Sequence, residues 1–216
     1  LQGKSINISM AQHAKNLFPI RKEAAMLELL QHRRSIRTFT DEPVSQEDID
    51  SLLKAALLAP SSMGKKPVEC IVVQNKETIA RLKTYKKHGT TPLETAPLAI
   101  VVIADSQKSD VWVEDASIVS ILIQLEAERS GSFHVDPASE GEGDSGPSEE
   151  AFRQELGIPE HYGVLSVIAI GHKNERKTPY TDADLDFTKI TMRGSEDAGQ
   201  GYSLPDRPAL TDEDPL

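Results

Sequence analysis

Apolar residues recur at helical spacing in the segment that follows residue 45. Ser45 followed by Asp48 resembles a capping box, in which side-chain oxygens satisfy the first backbone N–H groups of a helix. The apolar positions behind it fall on one helical face. They are Ile49, Leu52, Leu53, Ala56 and Leu57. The pattern predicts an amphipathic helix that ends before Pro60.

Four other segments carry helix-like patterns. Residues 111–129 predict the longest helix, and its apolar residues occupy more than one stripe. Shorter patterns predict helices over 20–32, 77–86 and 149–156, the last closed by Gly157. Because a helix that is apolar on several sides packs on several neighbours, the long helix is expected to be central.

Three β-branched runs have the length of strands. They cover residues 68–74, 98–104 and 164–171, and the third ends in glycine. The stretch PSSMGKKP, residues 60–67, combines two prolines, a glycine and paired serines. Since these residues favour turns and interrupt helices, the stretch predicts a loop between the capped helix and the first strand.

Charge and composition divide the chain further. Residues 136–150 and 194–216 together hold twelve acidic residues and one arginine, a charge of −11 within a chain whose net charge is −10. The rest is therefore close to neutral, and the acidity indicates no particular partner. We expect one domain over 20–193 with an acidic insert at 136–148. An extension at 1–19 precedes it, and an acidic, disordered tail at 194–216 follows it.

Several common kinds of site lack their sequence signatures. The six histidines show no metal-ligand spacing, and the single cysteine, Cys70, lies in an apolar run and is expected to be buried and structural. GEGDSG at 141–146 matches a dinucleotide fingerprint, but no strand precedes it and its acids would repel a phosphate. Without a membrane-length apolar run or a signal pattern, the expectation is a cytoplasmic protein that binds no metal and no membrane.

The stretch HRRSIRTF, residues 32–39, has the chemistry of an anion site. Arg33, Ser35 and Arg37 alternate, so in an extended segment their side chains point the same way. Two guanidinium groups and a hydroxyl suit a phosphate. The alternatives are a solvated basic patch and a nucleic-acid surface shared with Lys65 and Lys66. The near-neutral body and the lack of interleaved aromatic residues count against nucleic acid.

Three blocks in this order resemble the nitroreductase-like family of FMN-dependent NAD(P)H oxidoreductases. They are RRSIRTFTDEPVSQEDIDSLLKAALLAPSS, VEDASIVSILIQLEAE and LGIPEHYGVLSVIAIGHKNERKTPY, which lie within residues 25–192. The resemblance implies an α+β fold, a three-layer sandwich in which helices flank a mixed sheet. It also implies an intertwined homodimer with FMN at the interface.

The resemblance further implies which residues hold the flavin. Those assigned to its phosphate are Arg33, Arg34, Ser35, Arg37 and Lys177, with Lys173 and Arg176 as alternatives to Lys177. The loop that packs on the partner subunit's flavin contributes Pro60, Ser61, Ser62, Gly64 and Lys66. Gly64 and Lys66 occupy positions where many members carry Asn and Gln. Lys65 and Lys66 would either replace those contacts with cations or bind the phosphate of a cosubstrate. Gly131, with Ser132, is the counterpart of a turn that meets the flavin N5.

The activity implied is a ping-pong transfer from NADH or NADPH to an electron-poor acceptor of the nitroaromatic, quinone or enone type. No catalytic side chain is expected, because the flavin carries out hydride transfer itself. The segment 130–148 departs from the family, whose members usually carry a Gly-rich turn and a hydrophobic strand there. That departure motivates the alternative, a flavin-binding or sensing module without efficient turnover.

Overall fold

The computed structural model describes residues 24–86, 89–130, 132–133 and 145–191. These residues belong to two units that divide between Pro179 and Tyr180. The second unit contains two short 3₁₀ turns, Asp182–Asp184 and Phe187–Lys189. The predicted extension at 1–19, the tail at 194–216 and the part of the acidic insert before residue 145 lie outside the described residues.

The first unit contains the helices and the strands. The helices are α1 (Ala24–His32), α2 (Gln46–Leu57), α3 (Lys76–Thr84), α4 (Trp112–Ser130) and α5 (Ser145–Leu156). The strands are β1 (Val68–Val73), β2 (Leu98–Asp105), β3 (Ser132–Phe133) and β4 (Tyr162–His172). Within the described ranges, no helix is both long and apolar enough to cross a membrane.

The capping-box pattern correctly predicts Ser45 as the N-cap of α2, although Asp48 bonds to the Ser45 hydroxyl and not to its backbone N–H. The hydroxyl of Ser45 accepts a hydrogen bond from the Asp48 backbone N–H at 3.1 Å and donates one to the Asp48 carboxylate at 2.7 Å. Buried Ile49, Leu52 and Ala56 then form the apolar face of the helix. The local sequence thus predicts where α2 begins and most of its buried side. Leu57 is the exception, because it lies in the last turn of the helix and is 75% exposed although its spacing places it on that side.

The four strands form one sheet in the order β1–β2–β4–β3. The three pairings between neighbouring strands are antiparallel, so the mixed sheet implied by the resemblance is wrong for the described strands. The sequence could not show this, because an apolar run such as β2 has the same pattern whether it pairs parallel or antiparallel with its neighbour. The chain returns from α3 through the proline-containing turn Thr91–Glu94 and enters β2 opposite to β1.

Helices cover both faces of the sheet. Alternate residues of β2 point to opposite faces, as the period of a strand requires. Leu98, Ile100 and Val102 pack with α2 and α4 in one apolar cluster, whereas Ala99 and Val101 pack with α3 and α5 in another. The α+β, three-layer arrangement is thus confirmed, and the long helix α4 is central to one layer.

One helix boundary differs from the prediction. The helix expected at 149–156 begins at Ser145, so its first turn lies inside the predicted acidic insert. Gly146 and Pro147 lower the helical signal there, yet proline is tolerated in the first turn, where its missing N–H has no partner to lose. Arg153 then stabilises the helix through a 2.7 Å ion pair with Glu149.

Candidate functional site

The basic stretch 33–37 runs beside the segment that follows β4. The Thr40 N–H donates to the His172 carbonyl oxygen at 2.9 Å, and the Asn174 N–H donates to the Thr38 carbonyl oxygen at 3.0 Å. Phe39 forms an antiparallel bridge with Lys173 between these two bonds. The structure therefore brings HRRSIRTF and HKNERK, which are 140 positions apart in the chain, into one neighbourhood.

Tight packing fixes this pairing. Ile36 and Phe39 are buried, and Gly171, next to last in β4, lies against Phe39. A Cβ at Gly171 would lie 2.6 Å from Pro97 Cδ and 3.0 Å from Phe39 Cβ, so a side chain there would push the segments apart. The strand-ending glycine seen in the sequence thus serves close approach between the two basic stretches.

The predicted phosphate residues occupy different environments. Arg33 and Ser35 are half-buried and Arg37 is exposed, with buried Ile36 between the last two. Arg34 Nη1 donates a hydrogen bond to the Thr178 carbonyl oxygen. Arg34 therefore links the first stretch to the chain beyond the second, and its assignment as a helper at the phosphate stays a prediction.

Glu175 bonds to both basic stretches. Its Oε1 accepts a hydrogen bond from the Arg37 backbone N–H, and its Oε2 lies 2.8 Å from Lys177 Nζ. The Lys177 ammonium and, after it, the Arg37 N–H lower the pKa of the Glu175 carboxyl. The carboxylate therefore stays ionised below the ordinary range and holds Lys177 beside Arg37.

A second carboxylate, that of Glu128 on α4, lies next to the basic residues. Glu128 has only 7% of its side chain exposed and pairs with Lys173 Nζ at 3.2 Å. Burial raises the pKa of Glu128, and the charges of Lys173, His32 and Arg33 oppose that rise. Lys173 and Lys177 are thus each paired with a carboxylate, Lys173 with the more deeply buried one.

The loop 60–67 is attached to the opposite end of α4. Buried Asp115 accepts a hydrogen bond from the Ser62 N–H at 2.8 Å and one from the Ser109 hydroxyl at 3.3 Å. The Ser61 hydroxyl accepts a hydrogen bond from the Lys66 N–H at 2.8 Å. These bonds fix a loop whose Pro60 and Lys66 remain exposed.

The backbone of this loop adopts unusual conformations. Met63, Gly64 and Lys66 have positive φ angles of 52°, 68° and 46°. Only Gly64 adopts such an angle without steric cost, so the two other residues are held there by the surrounding bonds. Lys65 lies 3.4 Å from Asp110, and Lys108 Nζ donates to the Lys66 carbonyl oxygen at 3.0 Å.

The structure does not bring the two predicted groups together within one chain. Asp115 and Glu128 are 13 residues apart on α4, which is about 20 Å along a helix axis. An anion bound at Arg33 and Arg37 is therefore beyond hydrogen-bond reach of the loop 60–67 of the same chain. Gly131 lies outside the described residues, and the Ser132 backbone pairs with His172 beside the arginine cluster.

A flavin phosphate fits the donor set at the arginine end. Basic side chains outnumber carboxylates there, and a Ser hydroxyl stands between the two arginines. The bonds to Glu175 show that a backbone N–H and an ammonium at this place donate to anionic oxygens. Among the described residues, no cluster of His, Cys, Asp and Glu could hold a metal ion.

Comparisons with known proteins agree with this geometry. A model of the nitroreductase family matches residues 30–172. A protein of Archaeoglobus fulgidus, provisionally named NADH dehydrogenase/NAD(P)H nitroreductase, is 36% identical over 166 residues, which are 73% of this chain and 91% of that protein. The FMN reductase [NAD(P)H] of Bacillus subtilis is 36% identical over 91 residues, 42% of this chain and 36% of the relative.

A solved structure is similar over nearly the same range. The FMN-dependent nitroreductase from Clostridium difficile R20291 superposes with a TM-score of 0.74 at 42% identity and covers 79% of this chain and 100% of its own. The residues that match the family model contain the stretch 32–39, the sheet and α4. The chain therefore belongs to the nitroreductase family.

Proposed function

We propose that this chain is an FMN-dependent oxidoreductase that passes reducing equivalents from NADH or NADPH to an electron-poor acceptor in a ping-pong cycle. The observation that carries the proposal is the pairing of residues 38–40 with 172–174, which gathers the arginines and Lys177 at one place. The acceptors are of the nitroaromatic, quinone or enone type. The names of the FMN-dependent nitroreductase and the FMN reductase among the similar proteins support the same cofactor.

The protein's part in this reaction is binding and orientation. Arg33, Ser35, Arg37 and Lys177 hold the phosphate through charge-assisted hydrogen bonds, which are about twice as strong as neutral ones. Glu128 keeps Lys173 in place beneath them. FMN, when bound, supplies the hydride chemistry, so a site with no catalytic triad is consistent with the activity.

The loop 60–67 contributes to the site of a second copy of the chain. The loop lies near the opposite end of α4 from the arginines, an arrangement that suits an isologous dimer in which the loop meets the partner's flavin. Exposed apolar residues around the loop support such contact, because Leu57, Leu58 and Met63 are 75%, 82% and 89% exposed. Large apolar side chains that are this exposed mark an interaction surface.

The outer face of α4 extends that apolar surface. Val113, Ile118 and Ile121 are all more than a third exposed, although the opposite side of the helix is buried in the core. α2 packs beside α4, as the bond from the Ser51 hydroxyl to Glu126 shows. A homodimer that buries both helices explains why α4 is apolar on more than one stripe.

Steady-state kinetics test the proposed cycle. FMN-loaded protein is assayed at several fixed concentrations of a quinone, a nitroaromatic or an enone acceptor while NADH or NADPH is varied. Parallel double-reciprocal lines are expected, because the donor leaves before the acceptor binds. Intersecting lines would exclude the ping-pong cycle, and an absence of turnover with all three acceptor classes would contradict the oxidoreductase function.

A further inference from the structure

Glu175 is the acidic residue within the basic stretch HKNERK, and it joins the two halves of the phosphate site. One carboxylate oxygen accepts the Arg37 backbone N–H, and the other lies 2.8 Å from Lys177 Nζ. Only 23% of the Glu175 side chain is exposed. The carboxylate therefore links the backbone of one stretch to a side chain of the other.

The position of this carboxylate leaves room for a ligand. In an extended segment, backbone N–H groups lie in the plane of the strand, whereas side chains stand roughly perpendicular to it. A carboxylate bound by the Arg37 N–H thus lies at the edge of the segment. Ser35 and Arg37 are two residues apart, so in an extended segment their side chains project from the same face, and an anion bound there is separate from the edge that Glu175 occupies.

The charge of Glu175 acts mainly on Lys177. A lysine side chain has large rotamer entropy, and its flexible stem costs free energy when a ligand has to order it. The ion pair with Glu175 orders Lys177 before the ligand arrives. Because the ammonium lies beside the carboxylate, the pair is close to neutral and repels a phosphate only weakly.

We propose that Glu175 is a positioning residue for the FMN phosphate, fixing the backbone at Arg37 and pre-ordering Lys177. This inference rests on the proposed function, because it requires that FMN binds at the arginine cluster. It assigns to an acidic residue a favourable effect on the binding of an anion. A simple count of charges predicts the opposite effect, so the two accounts can be separated.

The test compares FMN with riboflavin, which lacks the phosphate. Flavin fluorescence is titrated with wild-type protein, Glu175→Ala, Glu175→Gln and the control Glu160→Gln, whose exposed carboxylate precedes β4 at its opposite end. Glu175→Ala is expected to raise the Kd of FMN about tenfold or more, the loss expected when charge-assisted bonds are removed. Glu175→Gln keeps an oxygen for the Arg37 N–H and is expected to raise it less. The Kd of riboflavin stays unchanged in every variant.

A double substitution tests the route through Lys177. Lys177→Met alone is expected to weaken FMN binding, and Glu175→Gln added to it should cost less than Glu175→Gln in the wild-type background. Equal losses for FMN and riboflavin would reduce Glu175 to a purely structural role and overturn the inference. Unchanged or tighter FMN binding by both Glu175 variants would overturn it as well.

The positioning role of Glu175 and the proposed function are contradicted by different results. Wild-type protein that binds FMN while the Glu175 variants bind it equally well contradicts the positioning role alone. Wild-type protein that binds neither flavin contradicts the proposed function, and the positioning role with it. Thermal unfolding of each variant shows that the comparison is made on folded protein.

Discussion

Arg33 connects three parts of the molecule. Its backbone N–H donates to the Leu29 carbonyl oxygen at 2.9 Å and so ends α1. Its charge acts on buried Glu128 of α4, and its half-buried side chain lies on the stretch that pairs with the segment after β4. Because Arg33 is partly withdrawn from water, its interaction with a phosphate is screened less than that of a surface arginine.

Replacing Arg33 is expected to weaken FMN binding selectively. Arg33→Gln removes the charge and keeps a polar side chain, so the Kd of FMN should rise about 10- to 100-fold, as for the loss of a charge-assisted bond. The Kd of riboflavin should not change. The matched control is Arg81→Gln on α3, where the arginine pairs with Glu155. Equal FMN affinity of the Arg33 and Arg81 variants would contradict the assignment.

Cys70 is expected to be nearly inert toward thiol reagents. Burial and, after it, the charge of Glu69 raise the pKa of the Cys70 thiol to about 11. The reactive thiolate is therefore scarce near pH 8, and labelling by a disulfide reagent should be slow and should accelerate steadily up to about pH 11. Unfolded protein, in which the pKa is ordinary, should react much faster at pH 8. Rapid labelling of folded protein at that pH would contradict this prediction.

The sequence identified the basic residues more readily than the acidic ones that organise them. Arg33, Ser35 and Arg37 are recognisable because alternation within one short stretch is a local signal. Glu128 and Asp115 lie on a long helix, where most carboxylates are solvated, and their burial depends on segments far away in the chain. Glu175 looks like a break in a basic run until the pairing with residues 37–40 is known.

At the scale of elements, local signals predicted most boundaries. α2 follows from its capping box and its apolar face, and β1, β2 and β4 follow from β-branched runs. The direction of the strands could not be read, because it depends on how the connections return across the sheet. The start of α5 was missed since Gly146 and Pro147 resemble a loop, although a helix tolerates proline in its first turn.

The Ser45 N-cap of α2 should contribute measurably to stability. Ser45→Ala removes the acceptor for the Asp48 N–H and is expected to lower the free energy of unfolding by about 1 kcal/mol. Urea denaturation followed by circular dichroism measures the change. Thr84→Ala, which removes a hydroxyl at the end of α3 that caps no N–H group, is the control and should have little effect. A Ser45 variant as stable as the wild type would show that the cap is dispensable.

At the scale of the whole molecule, the exposed apolar surface of α2, α4 and the loop 60–67 predicts a dimer. Leu58→Lys or Ile121→Lys places a charge on that surface without entering the core, since Leu58 is 82% and Ile121 is 38% exposed. Each variant is expected to fold, to have the mass of one chain by light scattering, and to lose FMN. Burying an unpaired lysine in an interface is costly, which is the physical reason for the dissociation.

The matched control for the dimer prediction is Ala80→Lys. Ala80 is exposed on α3, which packs on the opposite face of the sheet from α2 and α4. This variant should keep the mass of two chains and its flavin. Wild-type protein with the mass of one chain and full FMN binding would contradict the two-chain site.

The proposed oxidoreductase function requires that the chain binds FMN and that NAD(P)H reduces the bound FMN. The most direct measurement is the visible absorption spectrum of the FMN-reconstituted protein, recorded under anaerobic conditions before and after NADH and then NADPH are added. We predict flavin bands that bleach with at least one donor. Bands that persist with both donors would favour a flavin-binding module, and protein that takes up no FMN would contradict the interpretation of the arginine cluster itself.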